Sequence, residues 1–324
     1  MEPPFISFDA SPYLRVYSDG SVERLPPPDD MPPGNSPDGE VASKDVILDD
    51  NTGVYVRIYL PRGLDKTHKI PLVVYLHGGG FCIQSPATAR YHDYLNLLAK
   101  QANVICVSVN FRNAPEHRLP AAYDDCFSVL EWLETGLDPW IESHADLAAC
   151  FVAGDSGGGN IVHHVGTRHK EWKRLRLVGG ILVHPFFGGQ EMIGCERSSE
   201  NEGLVKRCDD IWKLVLPDGA NKDHPFCNPL AHGSATFSNL VYSRIAVFVA
   251  EKEIFKERHV CYYEALKKAG KDAELIETKG ENHDFHLYTP HSENAPLMMK
   301  QICYFIHSSS SVIKKVQLPS RPGI

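Results

Sequence analysis

The sequence has no C-x-x-C pair, no Lys/Arg block longer than two residues, and no apolar run approaching the ~18 residues of a membrane span. Each absence removes a class of protein. Without paired cysteines there is no ligand set for a zinc ribbon and no thioredoxin-type redox centre. Nine dispersed cysteines, an odd number, suit free thiols in a reducing compartment better than a disulfide framework. With no basic block, and 33 basic against 41 acidic residues for a net charge of −8, neither nucleic acid nor an anionic membrane is an expected partner. The start, Met1-Glu2-Pro3-Pro4, carries an acid and prolines and no apolar core, so it does not read as a secretory signal. The expectation is a soluble protein of the cytoplasm, with the nucleus as a second location.

What is present is a globular composition: 324 residues, 43% hydrophobic and 23% charged. No second core and no internal repeat is visible, so a single domain over residues 1–324 is expected. Prolines crowd the first 40 residues, and the stretch from Leu25 to Pro37 is too broken for a helix and too poor in charge for a solvated tail. Residues 1–43 therefore read as an arm laid over the body of the domain. Asp45–Leu48 and Val54–Leu60 alternate apolar with polar, as half-buried antiparallel strands do.

The character then changes. Ile70–Leu76, Val104–Val109, Cys150–Ala153, Leu177–Val183, Ile245–Ala250 and Ala273–Thr278 read as strands, most of them short, nearly continuous Val/Ile-rich runs of the kind buried on both faces of a parallel sheet. Between and after them, Tyr91–Gln101, Ala121–Glu134, Asn160–Lys170, Lys256–Ala269 and Asn294–His307 have helical period. Such alternation defines an α/β class with a mostly parallel sheet and helices on both faces. One connection is far too long: about 60 residues separate Val183 from Ile245, and the segment 185–240 is expected to form a lid over the carboxyl ends of the strands.

Gly154-Asp155-Ser156-Gly157-Gly158 follows the strand Cys150–Ala153 and precedes a helical segment. G-x-S-x-G in that setting is a nucleophile elbow, a turn so sharp that flanking Cβ atoms would collide. Directly after Ile70–Leu76 stands His77-Gly78-Gly79-Gly80-Phe81, whose successive glycines can aim backbone N–H groups at one point, as an oxyanion hole requires. A phosphate cradle is the competing use of such glycines, but neither a Lys-Ser/Thr nor a complete G-x-G-x-x-G follows. The expected donors are the N–H groups of Gly78, Gly79 and Gly157.

A serine nucleophile needs a base, and the base an orienting carboxylate. His283 follows the strand Ala273–Thr278 in Lys279-Gly280-Glu281-Asn282-His283, at a loop tip that can swing over Ser156, with His286 as the reserve. His163 and His164 lie inside the elbow helix and read as packing or polar-face residues. For the acid, the strand Ile245–Ala250 runs into Glu251-Lys252-Glu253, and no aspartate occurs between Asp223 and Asp272, so Glu253, beyond the strand edge, is the candidate. Phe81, Pro185, Phe186 and Phe187 are expected to wall an apolar substrate pocket, while Cys82 reads as a small packing residue near its entrance.

These stretches, together with Leu14–Arg24 and the run Asn110 to Asp125, resemble the hormone-sensitive-lipase-type α/β hydrolases, and within them the plant carboxylesterases related to the gibberellin receptor. The resemblance runs from residue 14 to about 307. It implies the α/β-hydrolase fold, a cap made of the N-terminal arm and the insertion, and hydrolysis of small esters or lactones without a cofactor or a metal. Two positions depart from the family pattern: Glu253 stands where an aspartate is usual, and Gly157 where Ala or Ser is commoner. The receptor relatives lose the catalytic histidine, whereas this chain keeps His283, which argues for turnover. Two other readings remain: a lyase or cyclase using His283 as base without an acyl-enzyme, and a hormone-binding receptor whose lid recruits a protein partner.

Overall fold

The computed structural model describes residues 3–25, 29–65, 68–168 and 170–308. Three short strands, β1 (Ile6–Ala10), β2 (Leu14–Tyr17) and β3 (Val22–Arg24), form a small antiparallel sheet. The main sheet has eight strands: β4 (Val41–Asp49), β5 (Val54–Pro61), β6 (Ile70–Leu76), β7 (Ile105–Asn110), β8 (Ala145–Asp155), β9 (Leu177–Val183), β10 (Arg244–Ala250) and β11 (Asp272–Thr278). Their order is β11-β10-β9-β8-β6-β7-β5-β4. The pairs β4·β5 and β5·β7 are antiparallel and all the others parallel, so the half-alternating start and the buried parallel strands fall where the hydrophobic pattern places them.

The helices are α1 (Ala89–Ala102), α2 (Ala121–Thr135), α3 (Pro139–His144), α4 (Gly157–Gly166), α5 (Glu202–Val215), α6 (Lys256–Lys268), α7 (Phe285–Tyr288) and α8 (Asn294–His307). The period of two along a strand sorts the core into two layers. Leu72, Val74 and Leu76 of β6 join a cluster with Val129 of α2, Val162 of α4 and Leu266 of α6. Val73 and Tyr75 of the same strand join Leu95 of α1 and Met298 of α8 on the other face. Every central strand is thus covered on both sides, which is why its sequence reads as a continuous apolar run.

Several boundaries differ from expectation, β8 beginning at Ala145 rather than Cys150 among them, and that of α4 has a steric reason. The helix expected over Asn160–Lys170 begins at Gly157 and ends at Gly166. Glycine is a poor helix former, but a Cβ on Gly158 would overlap the Leu76 carbonyl, so close packing of α4 on β6 overrides propensity. The long connection after β9 contains α5 and three short 3-10 turns rather than irregular chain alone.

The described part of the N-terminal segment makes hydrogen bonds to the rest of the chain. Of the proline-rich stretch 25–37, residues 26–28 lie outside the described residues, and the chain resumes with Met31 N–H donating to the Ala87 carbonyl at 2.7 Å. The Arg24 guanidinium ties the arm down by donating to Glu116, the Cys82 carbonyl and the Ala114 carbonyl. The C-terminal end of α5 is tied in the same way: Arg118 donates to the carbonyls of Lys213 and Leu216, both at 2.7 Å, supplying partners for helix-end acceptors.

Candidate active site

Strand β8 delivers Ser156 to the carboxyl edge of the sheet. Its backbone sits at φ 50°, ψ −116°, a conformation L-residues avoid and one that persists only where surrounding structure imposes it. Here the imposition is visible: Ser156 N–H donates to the Val183 carbonyl at 2.9 Å, and its own carbonyl accepts from Phe186 N–H at 2.8 Å. Helix α4 starts at the next residue, so the Gly157 N–H has no intrahelical partner.

The glycine triplet lies opposite. Gly79, Gly80 and Phe81 all have positive φ, of 92°, 59° and 65°, and the Gly80 nitrogen lies 3.4 Å from where a Gly157 Cβ would stand. Gly79 and Gly80 line the cavity that holds Ser156. Gly78 does not serve as expected: its N–H donates to the Tyr91 hydroxyl at 2.9 Å. That hydroxyl in turn donates to Asp155 Oδ2 at 2.7 Å, and Tyr75 donates to Asp155 Oδ1 at 2.8 Å. Gly78 N–H is thus engaged away from the serine, while Gly79 and Gly80 share the cavity with Ser156.

Across the cavity, His283 follows β11 and Glu253 follows β10. Glu253 Oε1 lies 2.7 Å from His283 Nδ1, and the Glu253 side chain is 1% exposed. Burial raises this carboxyl, but the charges of His283 and His259 hold it below its ordinary value. The other imidazole nitrogen, Nε2, lies 3.1 Å from Asp284 Oδ2, and among the described residues Ser156 Oγ has no protein hydrogen-bond partner. Burial works against a charged imidazole at His283, yet the flanking Asp284 and Glu253 carboxylates raise its pKa well above 6.5. The side chain is 38% exposed, so solvent screening moderates the size of that shift without reversing it.

The reserve histidine, His286, is buried against Tyr94, with ring centroids 5.1 Å apart, and burial pushes its pKa down to about 3. His163 and His164 are likewise buried and lowered; His163 contacts the Tyr262 hydroxyl at 3.0 Å and His164 stacks on Tyr123 at 4.4 Å. Two groups, His184/Asp284/His286 and His184/Glu253/His283, bring ligand atoms close enough for a metal. In each, some of these atoms are engaged within the protein, His184 Nδ1 accepting from Asp284 N–H at 3.0 Å and Glu253 holding His283, while His184 Nε2 and both His286 nitrogens are buried without a hydrogen-bond partner among the described residues.

The cavity has a volume of about 320 Å³, the lower end for small-molecule sites. Its apolar wall is Phe186, Ile254 and Phe255 from the core, Tyr13 from the β1–β2 turn, and Leu204, Cys208 and Ile211 from α5. Phe186 lies flat on Trp212 of α5, with ring centroids 4.6 Å apart and planes at 7°. The other three expected wall residues, Phe81, Pro185 and Phe187, are not in the wall. Phe81 and Phe187 are each 1% exposed; Phe81 packs on Trp212 and Tyr123, and Phe187 on Tyr262. Strand and turn geometry sends alternate side chains to opposite sides, so Phe186 faces the cavity and Phe187 the core. Cys82 is fully buried, a packing residue whose thiol burial pushes up to about 12.

Leu204, Cys208 and Ile211 recur at i, i+4 and i+7, a helical stripe visible in the sequence but masked by the charged residues between them. Nothing in local composition marks Tyr13 or Asp284.

Comparison with known proteins shows the family. Residues 73–287 match the alpha/beta hydrolase fold family and residues 27–115 the carboxylesterase family. The chain belongs to the α/β hydrolases and is a carboxylic ester hydrolase of the carboxylesterase type. It is similar to probable carboxylesterase 2 of Arabidopsis thaliana, with 41% identity covering 93% of this chain and 96% of the relative. A chloroplastic tuliposide A-converting enzyme 1 of Tulipa gesneriana is 39% identical, covering 93% and 78%, and a 2-hydroxyisoflavanone dehydratase of Glycyrrhiza echinata 36%, covering 93% and 96%. Among solved structures, an esterase from Pyrobaculum calidifontis superposes with a TM-score of 0.68 at 25% identity, covering 82% of this chain and 84% of its own.

Proposed function

We propose that the protein hydrolyses small carboxylic esters or lactones through an acyl-enzyme on Ser156. His283 takes the Ser156 proton as Oγ bonds to the acyl carbon, and the oxyanion is held by the N–H groups of Gly79, Gly80 and Gly157. The tetrahedral intermediate collapses as the C–O bond to the alcohol breaks and His283 returns the proton to the leaving oxygen. Water then repeats the sequence on the acyl-enzyme. Glu253 accepts Nδ1–H, fixes the tautomer and stabilises the imidazolium. The extra methylene of glutamate relative to aspartate is accommodated by a carboxylate that reaches Nδ1 at 2.7 Å.

The observation that carries this reading is that contact, made by a histidine lining the same cavity as Ser156 and the glycine N–H groups. A single domain with a cap made of residues 1–43 and 185–240 completes it, since Tyr13 and α5 close the cavity. No cofactor, metal, nucleic acid or membrane has a part in this chemistry, and among the described residues no helix is long and apolar enough to cross a membrane. The free thiols suit the cytoplasm; a fluorescent fusion distinguishes that from the plastid of the tulip relative. Ser156→Ala is expected to abolish p-nitrophenyl acetate hydrolysis with the circular dichroism unchanged, and hydrolysis at the wild-type rate would end the assignment.

One observation favours a second reading. The nearest partner of His283 Nε2 is Asp284 rather than Ser156, which suits a base acting directly on substrate, as in a lyase or cyclase, and one relative is named a dehydratase. A serine-directed phosphonate separates the two: labelling that stops turnover supports the esterase, and turnover surviving complete labelling supports the lyase. Ligand binding without product, read by mass spectrometry, would instead indicate a receptor.

A further inference from the structure

We propose that Asp284 is a positioning residue for His283, a second carboxylate that holds the Nε2 proton of the resting imidazolium and so sets the pH above which the base becomes available to Ser156. This rests on the esterase reading above and deepens it.

The geometry is built for the task. Asp284 is in the left-handed region at φ 51°, which aspartate tolerates better than most residues. Its N–H is held by His184 Nδ1 at 3.0 Å, and His184 is itself anchored by N–H donation to the Phe248 carbonyl at 3.0 Å. Its carbonyl accepts from the N–H groups of Leu287 and Tyr288 in α7 at 2.9 and 3.2 Å. The carboxylate, 6% exposed, is therefore fixed at 3.1 Å from Nε2 while Glu253 occupies Nδ1. Both imidazole protons of the charged form have acceptors, and the neutral form leaves one carboxylate facing a bare nitrogen.

The other ionisable groups facing His283 do not cancel this arrangement. Asp155, at the end of β8, is raised by burial and by the Asp284 charge. His184 after β9 and His259 of α6 interact with the same acids, Cys208 of α5 is raised by burial, and Tyr288 of α7 is raised likewise. His286 of α7 is pushed down by burial and Lys252 lines the cavity beside Glu253; the charges that raise His283 are those of Asp284 and Glu253.

In the cycle, His283 first loses its Nε2 proton to solvent, then takes the Ser156 proton. The new Nε2–H lies between the leaving alkoxide and Asp284 Oδ2, and the alkoxide, far the stronger base, takes it. Asp284 stays ionised throughout, and no other reactant is needed.

The test is the pH profile of kcat/KM for p-nitrophenyl acetate in wild type and Asp284→Asn. The acid limb is expected to move down by at least one pH unit, about a tenfold change in proton affinity, and a limb that superimposes on wild type would overturn the proposal. Should the variant fail to fold, nitrogen-15 histidine NMR on wild type, assigned with His283→Gln, reads the same quantity. His283 is expected to remain protonated above pH ~7, and titration at or below the ordinary value near pH ~6.5 would overturn it. The NMR readout needs no turnover, so it stands or falls separately from the Ser156→Ala result.

Discussion

The two sides of the cavity are held by different physics. On the serine side, β8, the glycine triplet and the start of α4 are fixed by backbone sterics: positive φ at Ser156, Gly79 and Gly80, and a Gly158 position where a Cβ would meet the Leu76 carbonyl. On the histidine side, position is set by charge, with one imidazole between Glu253 and Asp284. A steric constraint is local and leaves a signature in residue type. An electrostatic one joins residues 30 positions apart and leaves little trace in composition.

Substitutions on the charged side should have the larger effect on catalysis. Glu253→Ala is expected to lower kcat by roughly 10⁴-fold, the scale of other acid losses in serine triads, and to lower the melting temperature as well, because the carboxylate is buried against His283; Glu253→Asp should keep much of the rate. Steady-state kinetics check both, and indifference to both would return Glu253 to a structural role. On the steric side, Gly158→Ala should act on folding rather than chemistry, costing about 3 kcal/mol or more in urea denaturation because backbone, not a flexible side chain, stands in the way. A variant as stable as wild type would show that α4 can shift away from β6.

Tyr91 joins the glycine triplet to the end of β8 within the serine side, since its hydroxyl accepts from Gly78 N–H and donates to Asp155. Tyr91→Phe leaves both groups buried and short of a partner and should destabilise by about 1–3 kcal/mol, with a loss in kcat that tracks the oxyanion loop. The smallest effect is on stability against pH. A histidine whose folded pKa is raised contributes stability that is present below about pH 6.5 and fades as pH rises through the folded value. The melting-temperature gap between wild type and His283→Gln should therefore shrink from pH ~6 to pH ~9; a gap that widened would show the imidazole is held neutral.

The same division governs how much could be read without coordinates. Ile70–Leu76 and Leu177–Val183 are strands to the residue, because burial on both faces demands an unbroken apolar run. The elbow and the glycine loop were legible because close approach admits only glycine. The role of Gly78 was not, since it depends on a tyrosine brought from α1. The strands β1–β3 were missed because they are short and mostly half-exposed, so neither face is uniformly apolar. Helix α5 was missed because its apolar stripe is narrow, and Phe81 and Phe187 were misplaced because adjacency in sequence says nothing about which side of a turn a ring takes.

The flat stack of Phe186 on Trp212 joins the floor of the cavity to the helix above it. With the far end of α5 tethered through Arg118, a bulky acyl group cannot enlarge its berth by lifting that end of the helix without parting two aromatic planes. The tethered end thus acts as a gauge for acyl bulk, and the emission of the Trp212 indole would register each substrate that forces it.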